Sequence, residues 1–275
     1  MAKPKLTNAA RPATFEVEAY NERGEMVPTA IAGEHPLTLY LDKREIVTLM
    51  TLGHAPEALA IGYLRNQRLA DSIDDIAAVQ VDWETESVAV TTHSKKSPRN
   101  LGKKTVTSGC GQGTMFGDLM DEIDDVRLPP GATLSQATLY DLLDRVRLHE
   151  TIYKQAGAVH GCALATTAGE ILMFIEDVGR HNAVDAIAGR MWLDAIDGSD
   201  KVFYTTGRLT SEMVIKCAQM RIPFLVSRSG LTQMGHAIAG KVGITMLGRA
   251  SGRHYLAFTG KERLVRTLPQ PTALA

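Results

Sequence analysis

Cysteine is scarce in this sequence. Its 275 residues include three cysteines, Cys110, Cys162 and Cys217, and no two of them are close in sequence. The odd number and wide spacing exclude a disulfide framework and paired-cysteine metal sites, and they predict a reducing, cytoplasmic setting. Cys162 and Cys217 lie in apolar strand and helix patterns, so we expect both to be small buried hydrophobic residues.

An excess of charge of one sign is lacking too. The chain balances 30 Lys and Arg residues against 31 Asp and Glu residues, so no bulk attraction to nucleic acid or to a membrane surface is expected. No apolar run reaches the roughly 20 residues that a membrane-spanning helix needs, and no hydrophobic segment follows the basic N-terminus, so no signal peptide is expected. A P-loop, a G-x-S-x-G elbow and metal ligands at useful spacing are also missing from the sequence.

The hydrophobic pattern changes along the chain. Alternating residues over 13–50 predict strands with a turn at Asp42-Lys43, Pro56 opens a predicted helix over 56–69, and residues 76–92 predict two short strands. After Gly157, strands alternate with helices: the predicted strands are 158–166, 170–175, 201–205, 223–227 and 244–247, and the helices lie near 181–196, 210–220 and 232–241. This alternation is typical of an α/β layer in which helices cover a largely parallel sheet.

The pattern predicts two domains. The first, over residues 1–130, is a smaller β-rich domain that contains the helix 56–69 and the Cys110 loop. The second, over residues 131–265, is an α/β domain that binds the ligand, and residues 266–275 are expected to be a flexible tail. The fold class is therefore α/β in the second domain and α+β for the whole chain.

Polar clusters follow several of the predicted strands. The densest is Glu176–Asp185, directly after the apolar run 171–175, and similar loops are Thr206-Gly207-Arg208 and Ser227–Gly230. Ligands of α/β folds bind at the carboxyl ends of parallel strands, and arginine binds two phosphate oxygens at once. These loops therefore predict an anion site, to which the turn Gly248–His254 would add two arginines and a histidine.

The same residues also allow a purely structural interpretation. Asp177 would cap the following helix, and His181 and Asp185 would form an i,i+4 pair on its surface. The serine, threonine and glycine residues of the other loops would cap helices or form solvated turns. The sequence leaves this alternative open.

Cys110 lies between two glycines. Glycine permits a positive φ and leaves the sulfur uncrowded, and Lys103 and Lys104 just upstream would favour the thiolate. The segment predicts a nucleophile that meets large partners, and an incidental cysteine in a flexible turn is the alternative. The string His160-Gly161-Cys162 is similar to the start of the zinc deaminase signature, but the general-acid Glu and the P-C-x-x-C are absent, so a deaminase is not expected.

In their order along the chain, these motifs resemble those of the formate dehydrogenase accessory sulfurtransferase family, FdhD. The most specific string is Glu176–Asp185. The other matching segments are Glu34-His35-Pro36-Leu37, Leu59-Ala60-Ile61-Gly62-Tyr63-Leu64, Ser108-Gly109-Cys110-Gly111, Gly157-Ala158-Val159-His160, Thr206-Gly207-Arg208, Glu212-Met213-Val214 and Leu247–Thr259.

The resemblance implies a cytoplasmic sulfur carrier, typically a homodimer, that accepts persulfide sulfur from a cysteine desulfurase. It implies delivery of that sulfur to bis-molybdopterin guanine dinucleotide, the molybdenum cofactor that goes into the catalytic subunit of formate dehydrogenase. It also implies a C-terminal domain similar in fold to cytidine deaminases, without their zinc. The family's persulfide cysteine corresponds to Cys110, and its cofactor-binding turn corresponds to Arg249, Ala250, Ser251, Gly252, Arg253 and His254.

Two positions depart from the family pattern. Many relatives have Cys-Gly-x-Cys where this chain has Cys110-Gly111-Gln112-Gly113, so a disulfide relay within the loop is excluded and a single-cysteine persulfide is expected. The binding turn usually has an aromatic residue after its first glycine and an arginine three residues after that glycine. This chain has Arg249 and Ser251 at those places.

Together, the strand-end loops and the resemblance predict a site for the cofactor's nucleotide, with a free guanine nucleotide as a partial mimic. The expected phosphate contacts are Arg180, Arg208, Arg249 and Arg253, and the expected neutral donors are His181, Asn182, Ser227 and Ser229. Asp177 or Asp185 is expected to orient Arg180 or to accept guanine N–H groups. A cofactor-binding chaperone without sulfur chemistry, which would not need Cys110, and a guanine nucleotide hydrolase are the alternatives.

Overall fold

A computed structural model describes residues 3–94, 123, 126–128 and 131–266. The Cys110 segment and residues 267–275 lie outside these ranges, so the predictions made for that loop and for the tail stay predictions. Within the described ranges, no helix combines enough length and apolar character to cross a membrane.

Seven strands form the N-terminal part: β1 (Lys5–Leu6), β2 (Thr14–Tyr20), β3 (Met26–Ala32), β4 (His35–Leu41), β5 (Arg44–Thr51), β6 (Ile76–Asp82) and β7 (Ser87–Thr92). Five of them form one sheet in the order β1-β6-β7-β4-β5, and β2 and β3 form a separate hairpin. The predicted turn at Asp42-Lys43 is confirmed. Both residues have positive φ, 47° and 72°, as a two-residue hairpin turn that matches the twist of its strands requires.

The first helix, α1 (Pro56–Asn66), packs against this sheet through Leu59 and Leu64. It begins at the predicted proline but ends at Asn66 instead of residue 69. Arg68 takes a left-handed φ of 53°, which terminates the helix. The Leu69 N–H then donates to the Leu64 carbonyl at 2.8 Å.

Six strands form the C-terminal sheet: β9 (His160–Thr166), β10 (Ile171–Asp177), β11 (Lys201–Thr205), β12 (Phe224–Ser227), β13 (Thr245–Ser251) and β14 (His254–Thr259). Their order is β10-β9-β11-β12-β13-β14. Two short strands, β8 (Leu134–Ser135) and β15 (Leu264–Val265), form a separate parallel pair. In the chain, β8 precedes the strands of this sheet and β15 follows them. The structure also contains two 3₁₀ turns, Ile73–Asp75 and Lys261–Arg263.

The expectation of a largely parallel sheet is wrong. Only the β11–β12 and β12–β13 pairs of this sheet are parallel, whereas β10–β9, β11–β9 and β13–β14 are antiparallel. The β9–β10 and β13–β14 connections contain few residues, and short connections join neighbouring strands as antiparallel hairpins. The helices Arg180–Leu193, Ser211–Gln219 and Gln233–Val242 cross over from β10 to β11, from β11 to β12 and from β12 to β13.

Among the described residues after 131, the helices are α2 (Gln136–His149), α3 (Ile152–Ala156), α4 (Arg180–Leu193), α5 (Ser211–Gln219) and α6 (Gln233–Val242). Side chains of α4, α5 and α6 form one core with one face of the sheet, and α2 forms another core with the opposite face. Because both faces are covered, the central strands are apolar throughout.

The α/β class is confirmed. The likeness to cytidine deaminases and the division of the chain at residue 130 stay predictions. Ile123 and Leu128, which precede that division, pack into the core formed by α4, α5 and α6.

The two sheets are joined by close packing of α1 against α4. A Cβ on Gly62 would lie 1.7 Å from the Asp185 carbonyl oxygen, and a Cβ on Gly189 would lie 2.0 Å from the Ala58 carbonyl oxygen. Only glycine permits this approach of two helix backbones. The contact fixes α4, whose first turn borders the predicted site, to the N-terminal half of the chain.

Candidate functional site

The polar loops predicted from the sequence meet at one edge of the C-terminal sheet. β9 is antiparallel to both β10 and β11, and β12 is parallel to β11, so β10, β11 and β12 all run in the same direction. Their last residues, Asp177, Thr205 and Ser227, therefore lie at the same edge, and His160 begins β9 there, opposite Asp177. The predicted convergence of these loops is confirmed, whereas the ligand stays a prediction.

Arg180 is the first residue of α4 and lies against the loop after β11. A Cβ on Gly207 would come within 2.6 Å of the Arg180 Cδ, so glycine gives the arginine stem its place. The arginine itself is buried, and Arg208, the next residue of the loop, is exposed. The two guanidinium side chains therefore approach the edge from a helix and from a loop.

Ser227 connects this loop to the next one. Its hydroxyl donates to the Gly207 carbonyl at 2.6 Å, and it accepts from the Ser229 N–H at 2.9 Å. Thr205 accepts from the Gly207 N–H at 3.1 Å. Ser227 is fully buried, so the structure assigns it to bracing the loops, while the half-buried Ser229 stays a predicted donor to a ligand.

His160 borders the loop that follows β11. Its Nδ1 is 3.3 Å from the Thr206 hydroxyl. Burial lowers the pKa of His160, and the positive charges of Arg180, Arg228 and Arg208 lower it further. The imidazole is therefore uncharged at neutral pH.

Neither His160 nor Arg228 was among the site residues predicted from the sequence. Arg228 stands in a loop that the sequence did single out, and its Nη1 lies 3.2 Å from Glu150 Oε1, while its guanidinium carbon lies 5.5 Å from the Tyr153 ring centre. Glu150 and Tyr153 follow α2 along the chain. No sequence pattern predicts that this segment contacts Arg228.

Asp177 fastens the end of β10 to the N-terminal sheet. Its Oδ2 accepts from the Thr51 hydroxyl at 2.6 Å and from the Leu52 N–H at 3.2 Å, and its Oδ1 accepts from the Gly179 N–H at 3.1 Å. Asn182 donates from Nδ2 to the same Oδ1 at 2.8 Å. Burial raises the pKa of Asp177, and these hydrogen bonds oppose the rise.

These contacts correct three expectations. The residue that caps α4 is Gly179, not Asp177. Four donors already surround the Asp177 carboxylate, so it is a junction between sheets and not an acceptor for guanine. Asn182 gives its second amide hydrogen to the Met50 carbonyl at 2.6 Å, which leaves no hydrogen of that amide for a ligand.

Asp185 and His181 have other partners than each other. Asp185 accepts from Asn66 Nδ2 at 2.7 Å and from Lys216 Nζ at 2.8 Å. His181 Nε2 lies 3.4 Å from Glu212 Oε2. Both Asp185 and His181 are buried, so the expected i,i+4 pair on the helix surface is wrong. The expectation that Asp185 accepts guanine N–H groups is wrong as well, because its carboxylate lies in the protein interior.

Glu176 holds the short helix α3. Its Oε2 accepts from the Thr151 N–H at 3.1 Å and from the Ile152 N–H at 2.9 Å, and its Oε1 accepts from the Tyr153 N–H at 3.0 Å. A carboxylate at these N–H groups complements the helix dipole. Glu176 therefore positions Tyr153, the aromatic ring on which Arg228 lies.

The Arg249–His254 turn lies at the sheet edge where β12 ends. One side of the turn contacts the loop after β12, and the other side borders a cavity. The Arg249 N–H donates to the Ser229 carbonyl at 2.8 Å. This bond joins the turn to the arginine cluster, which consists of Arg180, Arg208 and Arg228. Ala250 is buried in the core under α2, Ser251 pairs with His254 across the turn, and Gly252 has a positive φ of 55°.

The far side of this turn borders a cavity. The Arg253 guanidinium carbon lies 5.2 Å from the Tyr140 ring centre, and the cavity has a volume of about 350 Å³. The residues that line it are Gln136, Tyr140, Arg253, His254, Tyr255, Leu256, Ala257 and Arg266. The structure thus divides the predicted site into an arginine cluster at the strand ends and a neighbouring cavity beneath α2.

The sulfur atoms of the described cysteines are buried. Cys162 and Cys217 are both fully buried, as the sequence predicts. Burial raises the pKa of Cys162 to about 12 and the pKa of Cys217 well above its ordinary value. Neither is a reactive thiolate, and Cys110 lies outside the described residues.

Comparisons with known proteins support one family. The model of the FdhD/NarQ family matches residues 32–265. The chain is 28% identical over 254 residues to the sulfur carrier protein FdhD of Listeria monocytogenes serotype 4b, which covers 91% of this chain and 95% of that protein. It is 30% identical over 233 residues to the sulfur carrier protein FdhD of Wolinella succinogenes, with 84% and 81% covered.

A solved structure shares the fold. A crystal structure of a protein described as a formate dehydrogenase accessory protein, from Desulfotalea psychrophila, superposes with a TM-score of 0.74 at 26% identity. The match covers 92% of this chain and 100% of that one. The family match extends over most of the chain, and the chain therefore belongs to the FdhD/NarQ family.

Proposed function

We propose that this chain is a sulfur carrier in the maturation of formate dehydrogenase. Both relatives named above are sulfur carrier proteins. The observation that supports a cofactor ligand is the convergence of Arg180, Arg208 and Arg228 at the edge where β10, β11 and β12 end. Such a group suits a phosphorylated ligand, because a guanidinium binds phosphate oxygens in pairs and does not lose its charge.

The proposed cargo is bis-molybdopterin guanine dinucleotide. The arginine cluster would bind its pyrophosphate groups, and the cavity beside the turn would take a guanine base. A volume of about 350 Å³ lies within the range of small-molecule pockets. The Arg249–Ser229 hydrogen bond links the two parts, and we propose that one ligand spans them.

The proposed sulfur acceptor is Cys110. Its thiolate attacks the terminal sulfur of a persulfide on a cysteine desulfurase, a new S–S bond forms on Cys110, the donor S–S bond breaks, and the donor cysteine leaves as a thiolate. This exchange needs no net oxidation. Release of the sulfur to molybdenum as sulfide takes two electrons, which we assign to a dithiol that becomes a disulfide. The catalytic subunit of formate dehydrogenase would receive the finished cofactor, and the carrier is proposed to act as a homodimer.

The competing function is a chaperone that binds the cofactor without sulfur chemistry. The two functions differ in their need for Cys110. We propose to compare wild type with Cys110→Ala and with Cys217→Ala as a matched control, in the activation of a formate dehydrogenase. Intact-mass analysis after incubation with a cysteine desulfurase and cysteine would identify the sulfur-loaded residue.

A sulfur carrier predicts loss of both activation and the added sulfur mass in Cys110→Ala, and retention of both in Cys217→Ala. Full activation by Cys110→Ala would refute sulfur transfer and leave the chaperone. Turnover of a guanine nucleotide by the purified wild-type protein would instead support the hydrolase alternative.

A further inference from the structure

A buried chain of polar side chains connects α1, α4 and α5 beneath the arginine cluster. Asn66 and Lys216 both donate to Asp185, at 2.7 and 2.8 Å. The Lys216 ammonium also lies 3.4 Å from Glu212 Oε1, and the other oxygen of Glu212 lies 3.4 Å from His181 Nε2. This chain of side chains thus ends at His181, the second residue of α4, immediately after Arg180.

Lys216 is not explained by packing. Its side chain is 2% exposed, and an ammonium group in the interior is strongly unfavourable unless it has partners. Burial disfavours its charge, but the Asp185 and Glu212 carboxylates outweigh burial and raise the pKa of Lys216. An apolar side chain of similar volume would fill the same space without the cost of desolvation, so filling the core does not account for a lysine at this position.

Glu212 is the link between Lys216 and the site. The Glu212 carboxylate faces the His181 ring, with Oε2 3.4 Å from Nε2, so its negative charge acts on the imidazole at short range. This contact holds the ring against the first turn of α5. Lys216 holds the second oxygen of Glu212, so Glu212 cannot turn away from His181 without breaking a buried ion pair.

We propose that Lys216 is a positioning residue of the anion site and acts through Glu212 and His181. His181 and Glu212 lie in the first turns of α4 and α5. Arg180 begins α4, and Arg208 lies just before α5. A clamp between the two turns sets the spacing of the two guanidinium groups, and thereby the affinity for a phosphate between them.

The inference rests on the proposed function for the identity of the ligand. The effect of Lys216 and Glu212 on the His181 ring does not depend on which ligand binds. Separate measurements can therefore test the clamp and the proposed ligand. Nitrogen NMR of the ring of His181 in the ligand-free, full-length protein reports its protonated nitrogen, and calorimetry with GDP reports the anion site. Urea titration shows that each variant is folded.

The variants are Lys216→Met, Glu212→Ala and Glu212→Gln, with Lys261→Met and Glu170→Ala as exposed controls. We expect Lys216→Met and Glu212→Ala to shift both ring nitrogen resonances of His181 and to weaken GDP binding about tenfold. Glu212→Gln keeps an oxygen and the volume of the side chain beside the ring, so it should retain most of the wild-type ring signal. Both controls should match wild type.

Unchanged His181 resonances in the folded Lys216→Met and Glu212→Ala proteins would overturn the inference. Shifted resonances with unchanged GDP affinity would also overturn it, because the network would then be structural only. If Lys216→Met does not fold, the contrast between Glu212→Ala and Glu212→Gln decides. A wild-type protein that binds no GDP contradicts the proposed ligand, and the resonances of His181 still test the clamp.

Discussion

Gly62 on α1 is the position at which one added methyl group should disturb the molecule most clearly. A Cβ there would lie 1.7 Å from the Asp185 carbonyl oxygen and 2.7 Å from the Gly189 nitrogen. Both atoms belong to the backbone of α4, so no flexible side chain can move aside. Gly62→Ala therefore forces the two helices apart and strains the Asn66–Asp185 hydrogen bond between them.

The magnitude follows from two opposing effects. Overpacking costs about 1–3 kcal/mol where the surroundings adjust, and a clash between backbones puts Gly62→Ala at about 3 kcal/mol. The higher helix propensity of alanine offsets about 1 kcal/mol of this. We expect a net loss of about 2 kcal/mol in the free energy of unfolding, which lowers the urea midpoint by about 1 M for a slope of about 2 kcal/mol/M.

Urea unfolding followed by circular dichroism measures this effect. Gly240→Ala is the matched control, because Gly240 is also helical and the nearest heavy atom to its added Cβ would be Thr259 Cγ2 at 3.9 Å. It should gain up to about 1 kcal/mol from propensity. Gly189→Ala should resemble Gly62→Ala, and the double variant should lose less than the sum because the helices are already separated. A Gly62→Ala protein as stable as wild type would refute the close packing.

Three further predictions concern the site. Burial and the neighbouring arginine charges lower the pKa of His160, so the unfolded chain takes up this proton at a higher pH than the folded protein. Stability linked to His160 is therefore lost as the pH falls below about 6.5. The wild-type urea midpoint should drop relative to that of His160→Asn between about pH 7.5 and about pH 5.5, and parallel curves would contradict this. Arg228→Met should weaken GDP binding about tenfold in calorimetry, whereas the exposed Arg44→Met should not, and equal affinities would remove Arg228 from the site. Cys162→Ala should cost about 1 kcal/mol in urea unfolding and leave the sulfur mass on Cys110 unchanged, and loss of that mass would show that Cys162 takes part.

The sequence predicted the elements of the C-terminal half well, because their signals are local. Alternating strands and amphipathic helices follow from hydrophobic period, and the positions of β11, β12, α5 and α6 agree with it to within a residue or two. Strand direction was predicted less well. Whether β9 pairs with β11 in parallel depends on where the chain returns in space, and the short hairpins at both sides of the sheet made three pairs antiparallel.

The candidate site shows the same division. Arg180, Arg208 and the turn at 249–254 were predicted because arginine and glycine beside strand ends indicate anion binding. Arg228 was missed as a contact because its orientation comes from Glu150 and Tyr153, which are distant in sequence. Asn182 was predicted as a donor to a ligand because its local string is polar, whereas its partners come from β5 and β10.

By itself, the sequence determined the class of the fold, the order of its elements and the chemistry that the strand ends have to offer, since these depend on residue type and on short spacing. The tertiary structure decided which of those polar groups face a ligand and which are used inside the protein. The reason is physical: a buried carboxylate or amide must find partners, and for Asp177, Asp185 and Asn182 the partners lie on elements far away in the chain. What remains at the edge of the sheet is the arginine cluster.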